Sequence, residues 1–162
     1  MRIDLNRPMA KGNFILFKGQ RNQGKSSLTL STIKQFVAEN SSNRAIYIGV
    51  GKHYGDQLIN DIPKTKRNQV MALTIDSVHH SDAEFLLAPL LALHTASQQG
   101  KVLVVVDDVL KFKFKETQIM DLADQPASAF NLANELMTRT GVFADGREVT
   151  SIVVVDEGTQ TL

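Results

Sequence analysis

The chain has 162 residues, of which 43% are hydrophobic and 22% charged, with no cysteine and a formal net charge of +1. That length suits one domain with a proper core, and the balance is ordinary for a globular protein. It excludes disulfide and thiol chemistry, offers no strong electrostatic footprint for nucleic acid, and holds no apolar run of membrane-span length, so neither nucleic acid nor membrane insertion is expected.

The chain opens on a short lead-in, residues 2–12, punctuated by Pro8 and Gly12. Met1-Arg2-Ile3-Asp4 shows no signal or transit pattern, so the expected compartment is the cytoplasm or the mitochondrial matrix. Residues 13–18 hold the apolar run Phe14-Ile15-Leu16-Phe17, a buried strand. A helix follows to about Glu39, with Leu30, Ile33 and Val37 on one face. Asn40-Ser41-Ser42-Asn43 reads as a polar turn, and Ala45 to Val50 as a second buried strand closed by Gly51.

Residues 54–62 suggest a short helix with Leu58, Ile59 and Ile62 inward, and Pro63 to Asn68 a basic, solvated loop. Val70 to Ile75 is a third strand. Residues 82–97 form a helix interrupted by Pro89. Val102 to Val106 is a fourth strand ending in Asp107-Asp108. Helical segments are expected over 109–122 and from Pro126 to a stop at Gly141, with Asp145-Gly146 as a turn. Ser151 to Val155 is the last strand, running into Asp156, Glu157, Gly158, Thr159 and Gln160.

Strands that are continuous apolar runs, alternating with helices, predict an α/β fold. Its sheet is mainly parallel, of about five strands, with helices on both faces in three layers. Such sheets bind ligands beyond the carboxyl ends of their strands. The segments after those ends are therefore where chemistry is expected.

The first of them carries it. Gly19-Gln20-Arg21-Asn22-Gln23-Gly24-Lys25-Ser26 spells G-x-x-x-x-G-K-S between a strand and a helix, and Ser27 follows. Polyphosphate recognition needs backbone N–H groups converging around a tight curl, which Gly19 and Gly24 permit. Lys25 brings an ammonium to the β- and γ-phosphates, and the Ser26 hydroxyl is a ligand for Mg²⁺. The expected ligand is ATP or ADP with Mg²⁺.

Asp107, at the end of an apolar strand, is the natural second holder of the metal, in preference to a helix cap. Asp108 and Glu157 are candidates to polarise an attacking water. Asp156 and Glu157 fit a γ-phosphate contact and a solvated loop equally well. His53, His79, His80 and His94 form no metal pattern, and Lys111-Phe112-Lys113-Phe114-Lys115 reads as a packed segment with solvated lysines.

Taken together and in order, these motifs resemble the alpha and beta subunits of rotary ATP synthases, within the RecA-like class. Ile3-Asp4-Leu5 with Pro8-Met9-Ala10-Lys11-Gly12 is similar to the beta-type lead-in. Gln20 to Ser26 is similar to the alpha-type loop, and Ala45 to Gly51 to the strand that carries the catalytic Glu in beta subunits. Ser81-Asp82-Ala83 with Leu87-Ala88-Pro89, and Val102 to Asp108, resemble alpha-type segments.

The resemblance implies a nucleotide-binding domain closer to the alpha type, because Lys52 stands where beta subunits carry the Glu. It implies absent or slow hydrolysis, and the family's arginine finger lies beyond the position matching Gln160. The loop at Asp124-Gln125-Pro126 is shorter than the family's rotor-facing loop. The resemblance also places the last strand between the phosphate-loop strand and the Asp107 strand. That leaves residues 13–18 as a sheet edge, to be covered by a second copy, another subunit or the lead-in.

Overall fold

Six strands share one sheet in the computed structural model, which describes residues 12–20, 22–50, 53–75, 100–107 and 137–156. The side chains of Val50, His53, Tyr54 and Asp156 are outside that description. In chain order the elements are β1 (Phe14–Gly19), α1 (Lys25–Glu39), β2 (Asn43–Val50), α2 (His53–Asp61), a 3₁₀ segment (Lys64–Gln69), β3 (Val70–Ile75), β4 (Lys101–Asp107), β5 (Gly141–Val142) and β6 (Glu148–Asp156).

The spatial order is β1-β6-β4-β2-β3, and every neighbouring pair on that path is parallel. β6 therefore lies between β1 and β4, as the resemblance implied. β5 is the sixth strand, beyond the five expected, and pairs antiparallel with the start of β6. Residues 137–139 are helical and the helix ends before Gly141, as expected, but Gly141 also opens this strand. The connection turns at Asp145-Gly146 as expected, with the Gly146 N–H donating to Phe143 O at 2.9 Å. Pairing with both β5 and β4 carries β6 back to Glu148, three residues before the expected start at Ser151.

The apolar strands explain the layers. Val102, Leu103, Val104, Val105 and Val106 of β4 are fully buried, because β4 has a strand on each side and packing on both faces. Their odd positions join Ala45, Tyr47, Ile152 and Val154 on the face covered by α1 and α2. That face receives Leu30, Ile33, Phe36 and Val37 from α1, Leu58 from α2, and Ile62 just beyond it. The even positions join Ile46, Ile48, Ile75, Val149 and Val153 on the opposite face. The helices expected over 82–97 and 109–122 lie outside the described residues, as does the part before residue 137 of the helix expected from Pro126.

At about 1.5–3 kcal/mol per fully buried Val or Leu, the five β4 side chains outweigh any surface ion pair. The exposed Lys34–Asp61 bridge between α1 and α2, 2.8 Å long, is of the kind that contributes about 0–1 kcal/mol.

The residues expected as a basic loop form the 3₁₀ segment instead, and its last residue explains why. Gln69 is buried, and its side-chain amide donates to Val37 O, Asn40 O and Asn43 O at 3.2, 2.8 and 2.9 Å. Asn43 Nδ2 donates to Phe36 O at 2.7 Å. Carbonyls at the last turn of α1 and the turn after it are thus bonded by two buried amides, with Asn40 O also accepting the Asn43 N–H at 3.2 Å.

Candidate functional site

Parallel pairing puts the carboxyl ends of the strands on one rim. Gly19 is in register with Asp156, and Gly49 with Asp107. The G-x-x-x-x-G-K-S loop leaves this rim from β1, and Asp107 ends β4, one strand further in across β6. The gathering expected from the sequence is therefore met for the loop and Asp107. Arg21, Lys52, Asp108 and Glu157 lie outside the described residues.

The loop curls through two left-handed residues, Asn22 at φ 63° and Gly24 at φ 77°. Glycine and asparagine are the residues that take this conformation most readily. Gly24 is the N-cap of α1, and neither a side-chain cap nor an acidic residue in the first turn occupies that helix end. The Gln20 N–H donates to Gln23 Oε1 at 3.0 Å. Lys25 Nζ folds back over the loop and donates to Gly19 O at 2.9 Å and to Gln20 O. Ser27 is exposed, and Thr29 Oγ1 donates to Lys25 O at 2.7 Å inside the helix.

Ser26 sits at the start of α1 and faces β4. Its Oγ donates to Asp107 Oδ1 at 3.4 Å, a long contact for a hydroxyl. Asp107 is only 6% exposed. A buried carboxylate needs donors, and its second one was not anticipated: the Tyr47 hydroxyl donates to Oδ2 at 2.7 Å. Tyr47 reads in the sequence as one more apolar position of β2. The available signal was Gly49, two residues on and on the same face, where a β-carbon would stand 2.7 Å from the tyrosine oxygen.

A cleft of about 260 Å³ lies at the opposite end of the sheet, lined by Arg44, Ile46, Arg67, Gln69 and Met71 among others. It is far along β2 and β3 from the rim. The rim itself brings together an ammonium, a hydroxyl and a buried carboxylate around an uncapped helix start. That set suits a polyanion and a hard cation.

A parallel sheet ordered with β6 between β1 and β4, and with this loop leaving β1, defines a RecA-like fold. More narrowly, the chain belongs to the ATP synthase alpha/beta family, nucleotide-binding domain, which matches residues 1–160. An ATP synthase subunit alpha from Buchnera aphidicola subsp. Baizongia pistaciae is 30% identical over 131 residues, covering 76% of this chain. The match spans 25% of that relative, so this chain corresponds to about a quarter of its length.

A prototypical ATPase from the type III secretion system of pathogenic bacteria superposes with a TM-score of 0.72 at 18% identity. The match covers 93% of this chain and 46% of that one. The ATP synthase subunit NeqB of Nanoarcheaum equitans gives 0.72 at 16% identity over 93% and 42% of the two chains. The assembled secretion ATPase EscN from enteropathogenic E. coli gives 0.66 at 18% over 88% and 36%. These likenesses show the fold. Among the described residues, no helix is long and apolar enough to cross a membrane.

Proposed function

We propose that residues 1–162 form a single nucleotide-binding domain that holds ATP or ADP with Mg²⁺, resembles the alpha-subunit core, and hydrolyses slowly or not at all. The observation that carries the reading is the meeting of Lys25, Ser26 and Asp107 on one rim, with Ser26 Oγ and Asp107 Oδ1 3.4 Å apart although 81 residues separate them.

In this reading the backbone of Gly19, Gln20, Arg21, Asn22, Gln23 and Gly24 wraps the phosphates, and Ser27 continues the cradle into α1. Lys25 releases the carbonyl oxygens of Gly19 and Gln20 and turns its ammonium to the β- and γ-phosphates. Ser26 and Asp107 fit Mg²⁺ by chemistry: both are hard oxygen donors. Two ligands of one octahedral cation at about 2.1 Å stand about 3 Å apart, close to the separation observed. The ion would neutralise phosphate charge there. Slow turnover rests on Lys52, whose ammonium has no lone pair to accept a water proton. The competing reading is an active ATPase using Asp108 or Glu157, and it requires turnover that falls in Asp108→Asn or Glu157→Gln.

Thermal unfolding with Mg²⁺ and nucleotide tests the binding. At about 100 times the dissociation constant, ligand stabilises by about 2.7 kcal/mol. For a domain of this size that is a rise of roughly 5–10 °C. The rise is expected in the wild type and absent in Lys25→Ala. No rise in either overturns the reading.

A second reading concerns partners. β1 pairs on one side only among the described residues, and its Leu16 is 53% exposed. An edge strand of this kind invites another chain. We propose that the edge at 13–18 is covered in a larger assembly, by a second copy or a protein partner. Slow amide exchange along Phe14 to Phe17, concentration-dependent, is the expected result. A monomer with fast exchange there rules it out.

A further inference from the structure

The carboxylate at the end of β4 is held from two sides, and only one of them belongs to the loop. Ser26 approaches Oδ1 at 3.4 Å, whereas Tyr47 grips Oδ2 at 2.7 Å, well inside hydrogen-bonding range. Tyr47 is 2% exposed, so its hydroxyl acts in a site with little water to compete.

The path of the ring explains how a residue in mid-strand reaches the rim. Tyr47 is in register with Val105, two residues short of Asp107. Its ring runs forward along the strand over position 49, the register partner of Asp107. A β-carbon at Gly49 would lie 2.7 Å from the hydroxyl oxygen and 2.9 and 3.0 Å from ring carbons. Those are distances that real β-carbons do not tolerate, so the missing side chain at Gly49 is the slot in which the tyrosine lies. Tyr47, Gly49 and Asp107 thus form one device across two adjacent strands.

We infer that Tyr47 is the positioning residue of Asp107: its hydroxyl fixes Oδ2 so that Oδ1 stays turned toward Ser26 and the divalent cation of a bound nucleotide. The inference rests on the proposed nucleotide site and adds to it. A carboxylate with one free torsion has two equivalent oxygens. Locking one selects which oxygen faces the cation and removes the cost of ordering it on binding. In this role Tyr47 acts through Asp107 and not on the phosphates or the cation directly. Its effect should therefore fall on the Mg²⁺-dependent part of affinity alone.

The test measures ATP affinity by calorimetry with Mg²⁺ and again with EDTA, in the wild type, Tyr47→Phe and Asp107→Ala. Tyr47→Phe keeps the ring in its slot and removes only the hydroxyl. The expected result is a loss of about 10–100-fold in the gain that Mg²⁺ gives, as for other residues that orient a metal ligand. The affinity in EDTA should be unchanged. In the Asp107→Ala background, Tyr47→Phe should have no further effect on that gain, because the group it positions is gone.

Gly49→Ala is the second variant. It keeps the hydroxyl but crowds it out of place, and the same selective loss is expected. An undiminished Mg²⁺ gain in Tyr47→Phe overturns the assignment and leaves the nucleotide site standing. Equal losses with Mg²⁺ and EDTA also overturn it, since they mean a packing role. A wild type that binds no nucleotide under either condition overturns the nucleotide reading and this inference with it.

Discussion

The two ends of α1 are finished in opposite ways. At its carboxyl end, the carbonyls of Phe36, Val37 and Asn40 all have side-chain donors, from Asn43 and Gln69. Both amides are buried, and Gln69 reaches across from another segment to make the contact. At its amino end the helix begins on a left-handed glycine, with no side-chain cap and no acid in the first turn. Capping that end would have been easy for evolution, since a Ser or Asp at the N-cap stabilises by roughly 1 kcal/mol. One end is built for stability, and the other leaves its N–H groups and partial positive charge facing the rim. On one 15-residue helix the contrast sets an end that holds the fold against an end left open for the proposed ligand.

The largest expected effect breaks this contrast at the amino end. Lys25→Ala should abolish the nucleotide-induced rise in unfolding temperature, since a hydrogen bond to a charged group is worth about 1.5–3 kcal/mol and in the proposed site Lys25 would offer several to phosphate. The unfolding temperature without ligand should hardly change, because the Lys25 ammonium bonds there to the carbonyls of Gly19 and Gln20, in a loop that water reaches. A large fall without ligand would mean that the loop is a structural element and that the two ends of α1 are alike.

Next in size is Gln69→Leu at the carboxyl end. It removes an amide that three carbonyls share: Asn40 O keeps the Asn43 N–H and Asn43 O keeps Arg44 Nη1, but Val37 O loses its side-chain donor, and a stranded buried group costs about 1–3 kcal/mol. That is a fall of roughly 2–12 °C in unfolding temperature. Asn43→Ala should fall at the lower end of the same range, since one carbonyl is affected. Nucleotide affinity should be unchanged in both, because both side chains lie at the end of α1 away from the rim. Loss of affinity without loss of stability would show that the carboxyl end feeds the site.

This division also marks what the sequence reveals. The strands were legible because β4 holds the run Val-Leu-Val-Val-Val and β6 the run Ile-Val-Val-Val, and both faces of the sheet are buried. Leu30, Ile33 and Val37 gave the buried face of α1 by helical period alone. The meeting of the loop and Asp107 on one rim was legible because both follow the carboxyl ends of parallel strands.

What escaped was whatever depends on strand order or on a polar side chain turned inward. Tyr47 is indistinguishable from a core position until β2 is placed beside β4. Gln69 and Asn43 look like surface residues because nothing local shows that a helix end lies over them. β5 has two residues, too few to show any alternation, and only its pairing with β6 makes it a strand.

The smallest expected effect tests whether position on α1 or burial governs these energies. Lys34 lies on the same helix and bridges to Asp61 at the end of α2, at 2.8 Å. Its geometry is as good as that of the Gln69 bonds. Yet the two side chains remain 39% and 42% exposed, so water and salt screen the pair and its loss strands no buried group. Lys34→Met should therefore lower stability by less than about 0.5 kcal/mol, and less again in high salt. Gln69→Leu should be indifferent to salt. If Lys34→Met instead matched Gln69→Leu, the cost at the carboxyl end would come from tethering α1 to its neighbours. The satisfaction of its carbonyls would then be incidental, and the contrast between the two ends of the helix would have to be redrawn in terms of packing.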